Sequence, residues 1–342
     1  MMYRTLFLSF GLLANFTVQS RAASAATAPT APYELLQRVP IRGEGNYDYL
    51  MADEASRRVY VTHGAEVAVF DADTYAPVGT LTGLTGAHGI AVVPGLPLVF
   101  VTNGQGNSLS VFDAKTLKAT AEIKLAGKNP DALLYDPASK HLFVFDHGSG
   151  DVEVVDPVTA KLVSTFQVGG ELEFGQADGL GTVWVNVEDT HEVVRIDSKT
   201  RKVTARWSLA PGEGPTGMAF DAKHRRLFIG CLNSKLAVVN ADSGAVVAIL
   251  PIGPGVDATE FDPQTGDIFC SCGKSGTMVI IHQDSANQYH VAETVPTQKW
   301  ARTLALDPKT HRVFLPVGEF PPSGRGAPAP GTFAVLVFGR AR

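Results

Sequence analysis

Only 3 cysteines, 5 methionines and 3 tryptophans occur among the 342 residues. Beyond the N-terminus no apolar stretch is long enough to span a bilayer as a helix. The chain has no G-x-S-x-G elbow, no H-E-x-x-H pair and no paired C-x-x-C, so the usual serine-hydrolase and metalloprotease signatures are missing. A haem-attachment C-x-x-C-H is absent too. Gly273-Lys274-Ser275-Gly276 resembles the end of a phosphate loop, but Ile268 stands where the leading glycine belongs. A strand, not a helix, is expected after it, so no anion-binding helix N-terminus forms. Basic runs are lacking and the formal charge is −5, which gives no global attraction for phosphate backbones, so nucleic acid is not an expected partner. Long amphipathic stretches are scarce, whereas Gly 34 and Pro 21 punctuate the chain. That balance favours many short strands joined by turns.

The N-terminus reads as a signal peptide. Residues 1–4 form a short basic n-region, 6–18 an apolar h-region, and Ala23-Ser24-Ala25 matches an A-x-A cleavage pattern. We assign 1–25 to the signal peptide, 26–32 to a small, proline-containing linker and 33–342 to the folded domain. Removal of Arg4 and Arg21 takes the formal charge from −5 to −7. No cysteine follows the h-region, so no lipid anchor is expected, and a periplasmic or secreted location follows.

One pattern recurs along 33–342: an apolar strand, a turn, a strand with a central aromatic, a Gly/Asn turn, and another strand ending in Asp. The central aromatics are Tyr60, Phe100, Phe143, Trp184, Phe228, Phe269 and Phe314, spaced by 40, 43, 41, 44, 41 and 45 residues. Strands repeating at this period, without helices, predict an all-β, seven-bladed β-propeller. Each blade reads as four strands, a to d from the axis outwards. In the second unit these are 88–92, 98–102, 109–112 and 119–123. The last unit supplies only three (302–307, 312–317 and 333–338), and the orphan strand 33–41 is expected to complete it and close the ring.

Many carboxylates then have structural duties. Asp71, Asp113, Asp156 and Asp197 each precede a threonine by three residues, with Asn240 and Ser243 in the same places, as turn-capping side chains do. Asp136, Asp262 and Asp307, each at the a–b turn before Pro137, Pro263 and Pro308, belong with them.

What remains is the position twelve residues before the central aromatic, at the start of strand a. It holds Asp48, His88, Asp131, Glu173 (offset eleven), Thr216, Asp257 and Arg302. Innermost strands begin around the central channel, so these side chains should gather at one mouth. Close like charges there need a cation, a partner or protonation. Residues just after strand b end at the same mouth and add His63, Asn103, Asp146, His147, Glu188 and Asp189. A divalent metal ion would have Asp48, His63, His88, Asp131, His147 and Glu173 as candidate ligands; a hydrated, polar channel is the plainer alternative. The proline- and glycine-rich loop 319–331 is a candidate lid or docking surface at that mouth, or a plain surface loop. Cys231 and Cys272 occupy equivalent places in adjacent blades, where either a disulfide or buried free thiols, the favoured state, would fit.

The words Val59-Tyr60-Val61-Thr62-His63-Gly64 and Val99-Phe100-Val101-Thr102-Asn103-Gly104 resemble the YVTN β-propeller repeat. With Ala177-Asp178-Gly179, Gly255-Val256-Asp257-Ala258 and Ala301-Arg302-Thr303, the chain is similar throughout to the YncE family of exported propellers. The resemblance implies an exported binding scaffold for a small polar ligand, a metal ion or another envelope protein, without an identified catalytic residue. By analogy with propeller lactonases, a metal-dependent hydrolase or lyase is the alternative, with His63 or His147 as base. An electron-transfer role with a partner's cofactor is a third expectation.

Overall fold

Strand b of every unit is apolar on both faces, and such a strand is stable only when covered on both sides. The computed structural model, which describes residues 1, 31–43, 45–321 and 327–341, meets that demand with seven four-stranded antiparallel sheets and, among these residues, no helix. The chain divides into two units, Met1–Ala31 and Pro32–Arg342, and every strand belongs to the second. The expected signal peptide and most of the expected linker lie outside the described residues.

Blades 1 to 6 occupy 47–82, 87–124, 130–167, 172–208, 215–251 and 256–296, each a simple meander of strands a to d. Blade 7 combines Ala305–Asp307, Arg312–Val317 and Ala334–Arg340 with the N-terminal strand Tyr33–Pro40. That strand pairs antiparallel to the C-terminal one, from Tyr33 opposite Arg340 to Pro40 opposite Ala334. The ring is therefore closed by the strand expected to close it, and each innermost strand lies against those of its two neighbours.

The seven central aromatics are fully buried and form the inter-blade core. Tyr60 packs with Val99 and Val101 of the next blade, Phe100 with Leu142 and Val144, and Phe143 with Val183 and Val185. Trp184 meets Leu227 and Ile229, Phe228 meets Ile268 and Cys270, and Phe269 meets Val313 and Leu315. Phe314 returns to Val59 and Val61 of blade 1. Truncating one such ring to alanine costs about 3–5 kcal/mol. Cys231, Cys270 and Cys272 are buried free thiols within this core, and no disulfide links adjacent blades.

The turn carboxylates behave as expected. Asp71 Oδ1 accepts the backbone N–H of Thr74 at 2.7 Å, and Asp113 and Asp197 repeat this with Thr116 and Thr200 at 2.7 Å. Asp307 does more, since it also takes two hydrogen bonds from the Arg57 guanidinium of blade 1, at 2.8 and 2.7 Å. Strand a of blade 7 departs from expectation: it begins at Ala305 and leaves Arg302 ahead of it. The Arg302 carbonyl accepts hydrogen bonds from Ala258 N–H and the Ser271 hydroxyl of blade 6 instead of joining its own sheet.

Candidate functional site

Strand a carries a β-bulge at the same place in blades 1 to 6. The register shifts between Tyr47 and Leu50, Ala87 and Ile90, Pro130 and Leu133, Leu172 and Gly175, Pro215 and Met218, and Val256 and Thr259. A bulge inserts one extra residue, bends the strand and re-aims a side chain. The inserted stretches contain Asp48, His88, Asp131, Glu173, Thr216 and Asp257, so the bulge is the device that turns the −12 position into the channel.

Bulging also frees backbone groups, and a polar residue two places after the central aromatic satisfies them. Thr102 Oγ1 accepts Gly89 N–H at 2.7 Å and donates to Asp131 O of the next blade at 2.7 Å. Thr62 contacts Asp48 N and Tyr49 O, Asn186 Nδ2 donates to Thr216 O at 2.7 Å, and Ser271 donates to Arg302 O. Gly89 permits the close approach, because a Cβ there would stand 2.5 Å from the Asp131 carbonyl oxygen. These stitching residues were not foreseen, although a lone Thr, Asn or Ser inside an apolar strand was the available sign.

The side chains gathered at the mouth form one electrostatic group. Arg302 hydrogen-bonds Asp257, and its other amino nitrogen lies 3.3 Å from Asp48 Oδ1 and 3.2 Å from the Tyr47 carbonyl. His88 Nδ1 hydrogen-bonds Asp48 and lies 3.2 Å from Asp131 Oδ1. His147 Nδ1 lies 3.1 Å from Glu173 Oε1. Asp48, His88 and Asp131 offer ligand atoms within 4.8 Å of one another, and so do Asp131, His147 and Glu173, with Asp131 common to both. The pocket beside the first group, lined by Asp48, His88, Arg302, Tyr47 and Gln105, has a volume of about 560 Å³.

Burial and the neighbouring charges push these groups in opposite directions. Burial raises Asp131 and lifts Glu173 well above the carboxylate range, and burial against the pull of Arg302 leaves Asp257 at about 6. Asp48 alone is lowered, because Arg302 and His88 outweigh its desolvation. Desolvation works against the His88 imidazolium, yet its close approach to Asp131 and Asp48 holds it up at about 10. Glu173 raises His147 to about 9. Tyr49 lies below this layer, its phenol pushed well up by burial and by Asp131, Glu173, Asp48 and Asp257.

Six of the seven expected rim residues thus face one another, while Thr216 does not. Its buried hydroxyl donates to Val256 O of the next blade at 3.1 Å, a structural role. His63 corrects the proposed ligand set. It stacks on Phe333 of blade 7 with ring centroids 3.9 Å apart and planes at 4°, and desolvation lowers it to about 4. Its ring is held in the blade 7–blade 1 seam, outside both ligand groups. Of the other residues after strand b only His147 joins a ligand group. Asn103 donates to Ser108 and Ser110 of its own blade. Asp146 is buried without a hydrogen bond, its carboxyl raised to about 8 by burial and Glu153. Asp189 accepts Glu171 N–H at 2.9 Å, and Glu188 joins neither group. The long blade 7 loop does reach the mouth side, where Phe320 packs edge-on against Tyr47 at 5.7 Å.

No family model matches the chain, and no curated protein does so either. Its likeness to solved structures is in fold. It is similar to Kuenenia stuttgartiensis hydrazine synthase, at 15% identity and a TM-score of 0.70, over 95% of this chain and 99% of that one. The WD40 repeats of RRP9 superpose with a TM-score of 0.77 at 8% identity, over 91% of this chain and 99% of theirs. U3-55K gives 0.74 at 9% identity, over 88% and 97%. The chain is a seven-bladed β-propeller with WD40-like structural neighbours. Among its described residues no helix is long and apolar enough to cross a membrane.

Proposed function

We propose that this protein is an exported binding propeller of the YVTN/YncE type whose channel mouth holds a divalent cation, to which a polar ligand or an envelope protein docks. The export half rests on the N-terminal sequence, and fractionation of the full chain with a C-terminal reporter tests it; a cytoplasmic reporter would sink it.

The observation that carries the binding half is the Asp131–His147–Glu173 group. Asp131 Oδ1 and His147 Nδ1 are buried without an aligned hydrogen bond, although each lies close to an oppositely charged atom. Side chains arranged for one another would align; these converge on a shared point, as ligands do. Asp48 and His88 are less suited, because they already satisfy each other and Arg302 neutralises Asp48. Three protein ligands of mixed nitrogen and oxygen type leave coordination positions for water or a bound partner. Ligation needs the carboxylates ionised and the imidazole neutral, so ion binding is favoured as pH rises.

Titration of metal-free protein with Mn²⁺, Zn²⁺ and Ca²⁺, together with elemental analysis of native protein, tests this. One ion per chain is expected, with affinity reduced at least tenfold in Asp131→Asn. Absence of any ion and of any binding heat would overturn the reading. The hydrolase alternative draws on the same group, since an ion held by Asp131, His147 and Glu173 would lower the pKa of a bound water and make it a nucleophile. Turnover of a lactone and ester panel by the metal-loaded protein favours it; inertness leaves the binding role.

A further inference from the structure

The channel has a second, chemically different end. Between Tyr49 and the a–b turns lies a chamber of about 420 Å³, walled by Met51, Leu133, Phe174, Phe261 and Leu306 and opening beside Pro263 and Pro308. Its size falls within the range of small-molecule sites, roughly 300–1,000 Å³. One side chain breaks the apolar wall. Glu260 lines the chamber and makes no hydrogen bond or ion pair among the described residues.

The fold does not ask for a carboxylate there. Glu260 is the strand a residue that faces the central aromatic across the a–b pair. The same place holds Met51, Ala91, Leu134, Gln176, Ala219 and Ala305 in the other blades. Six neutral residues build the same strand without it. Glu260 is half-buried in the wall; an unpartnered carboxyl in an apolar recess loses part of its hydration at a cost in stability, and desolvation pushes this one up to about 8. A group retained against that cost, in a cavity of ligand size, is explained by a ligand that completes it.

We infer that this chamber binds a small organic amine, with Glu260 as counter-ion to its ammonium group and the Met51–Leu133–Phe174–Phe261 wall enclosing its apolar body. An anion is disfavoured by Glu260 itself and by the carboxylates just beyond Tyr49. A neutral apolar guest would leave the carboxyl unpaired. Phe174 and Phe261 line the chamber, and aromatic rings there would add attraction for a cation. Apart from Tyr49, no other ionisable side chain lines the chamber, so the protonated carboxyl is the only internal source for the proton released on pairing. Binding therefore converts a carboxylic acid and an ammonium ion into a carboxylate–ammonium pair and one proton delivered to the buffer.

Calorimetric titration with 2-phenylethylamine and its neutral analogue 2-phenylethanol tests this. The full chain is expected to bind the amine at least tenfold more tightly than the alcohol, with a heat that varies with buffer ionisation enthalpy. Glu260→Gln should erase that preference by weakening the amine alone, while its circular dichroism and thermal midpoint report an intact fold. Leu133→Trp, which fills the chamber and keeps Glu260, should abolish binding of both probes. Glu188→Gln, outside both ligand groups and the chamber, should leave amine affinity unchanged. Equal affinities for amine and alcohol, binding of neither, or an amine preference that survives Glu260→Gln or vanishes in Glu188→Gln would each overturn the assignment.

Discussion

At one end of the channel Asp48, His88, Asp131, Glu173, Asp257 and Arg302 crowd together; a few residues further along the same strands, Met51, Leu133, Phe174 and Phe261 enclose a nearly uncharged space. The mouth tolerates its acids because they share: Arg302 serves two, His88 serves two, and His147 serves Glu173. Glu260 in the chamber has nobody to share with. Isolation and mutual compensation thus raise carboxyl groups for different reasons, through desolvation alone in the chamber and through desolvation tempered by partners at the mouth. Substitutions at the two ends should therefore differ in size and in their dependence on pH.

The largest effect is expected at the mouth. Arg302→Met leaves Asp257 without its cation and Asp48 with His88 alone, and breaking a buried pair costs about 3–5 kcal/mol. With the guanidinium 41% exposed, solvent screening reduces the expected loss to about 2–3 kcal/mol, read as a thermal midpoint lower by several degrees. An unchanged midpoint would mean that the acids do not depend on Arg302, and the contrast between shared and isolated carboxyls would fail. The next effect belongs to the chamber. Glu260 has its folded value raised to about 8, so the stability it contributes is complete below its unfolded value of about 4.3. It is lost as pH climbs through 8, with a slope of at most about 1.4 kcal/mol per pH unit. Glu260→Gln removes that slope, so the variant should gain stability relative to the parent between pH 5 and pH 8 in urea unfolding. A parallel pH dependence in both proteins would show that Glu260 is not isolated.

How much of this contrast the sequence discloses depends on whether a feature repeats. Tyr60 to Phe314 recur at an even period, so blade number, order and closure by the N-terminal strand were all legible. Asp48, His88, Asp131 and Asp257 were legible as a rim because one offset from those aromatics places them on one strand position. The bulge that aims them was not, since an inserted residue leaves no pattern of its own beyond the polar residue that stitches it. His63 misled because its position after strand b is equivalent to that of Asn103, whereas its neighbours are not: only in blade 1 does the closing blade bring Phe333 against that ring. Glu260 was overlooked for the converse reason. In Thr259-Glu260-Phe261 it reads as ordinary surface alternation, and only the assembled ring places it beside Met51 and Phe174 from distant blades.

Thr216 offers the finest test, with the smallest effect. By position it belongs to the rim; by contact it belongs to the scaffold, since its hydroxyl spans from blade 5 to Val256 O of blade 6 at 3.1 Å. Thr216→Val keeps the shape and removes the donor, so about 1 kcal/mol of stability should be lost while divalent-ion affinity at the mouth stays the same. Chemical denaturation and ion titration on one preparation separate the two quantities. Should Thr216→Val weaken ion binding as much as Asp131→Asn does, the mouth would behave as a single cooperative ring in which position alone confers function. If only stability falls, the rim divides into residues that bind and a residue that holds neighbouring blades in place, and what decides between them is the atom each side chain reaches.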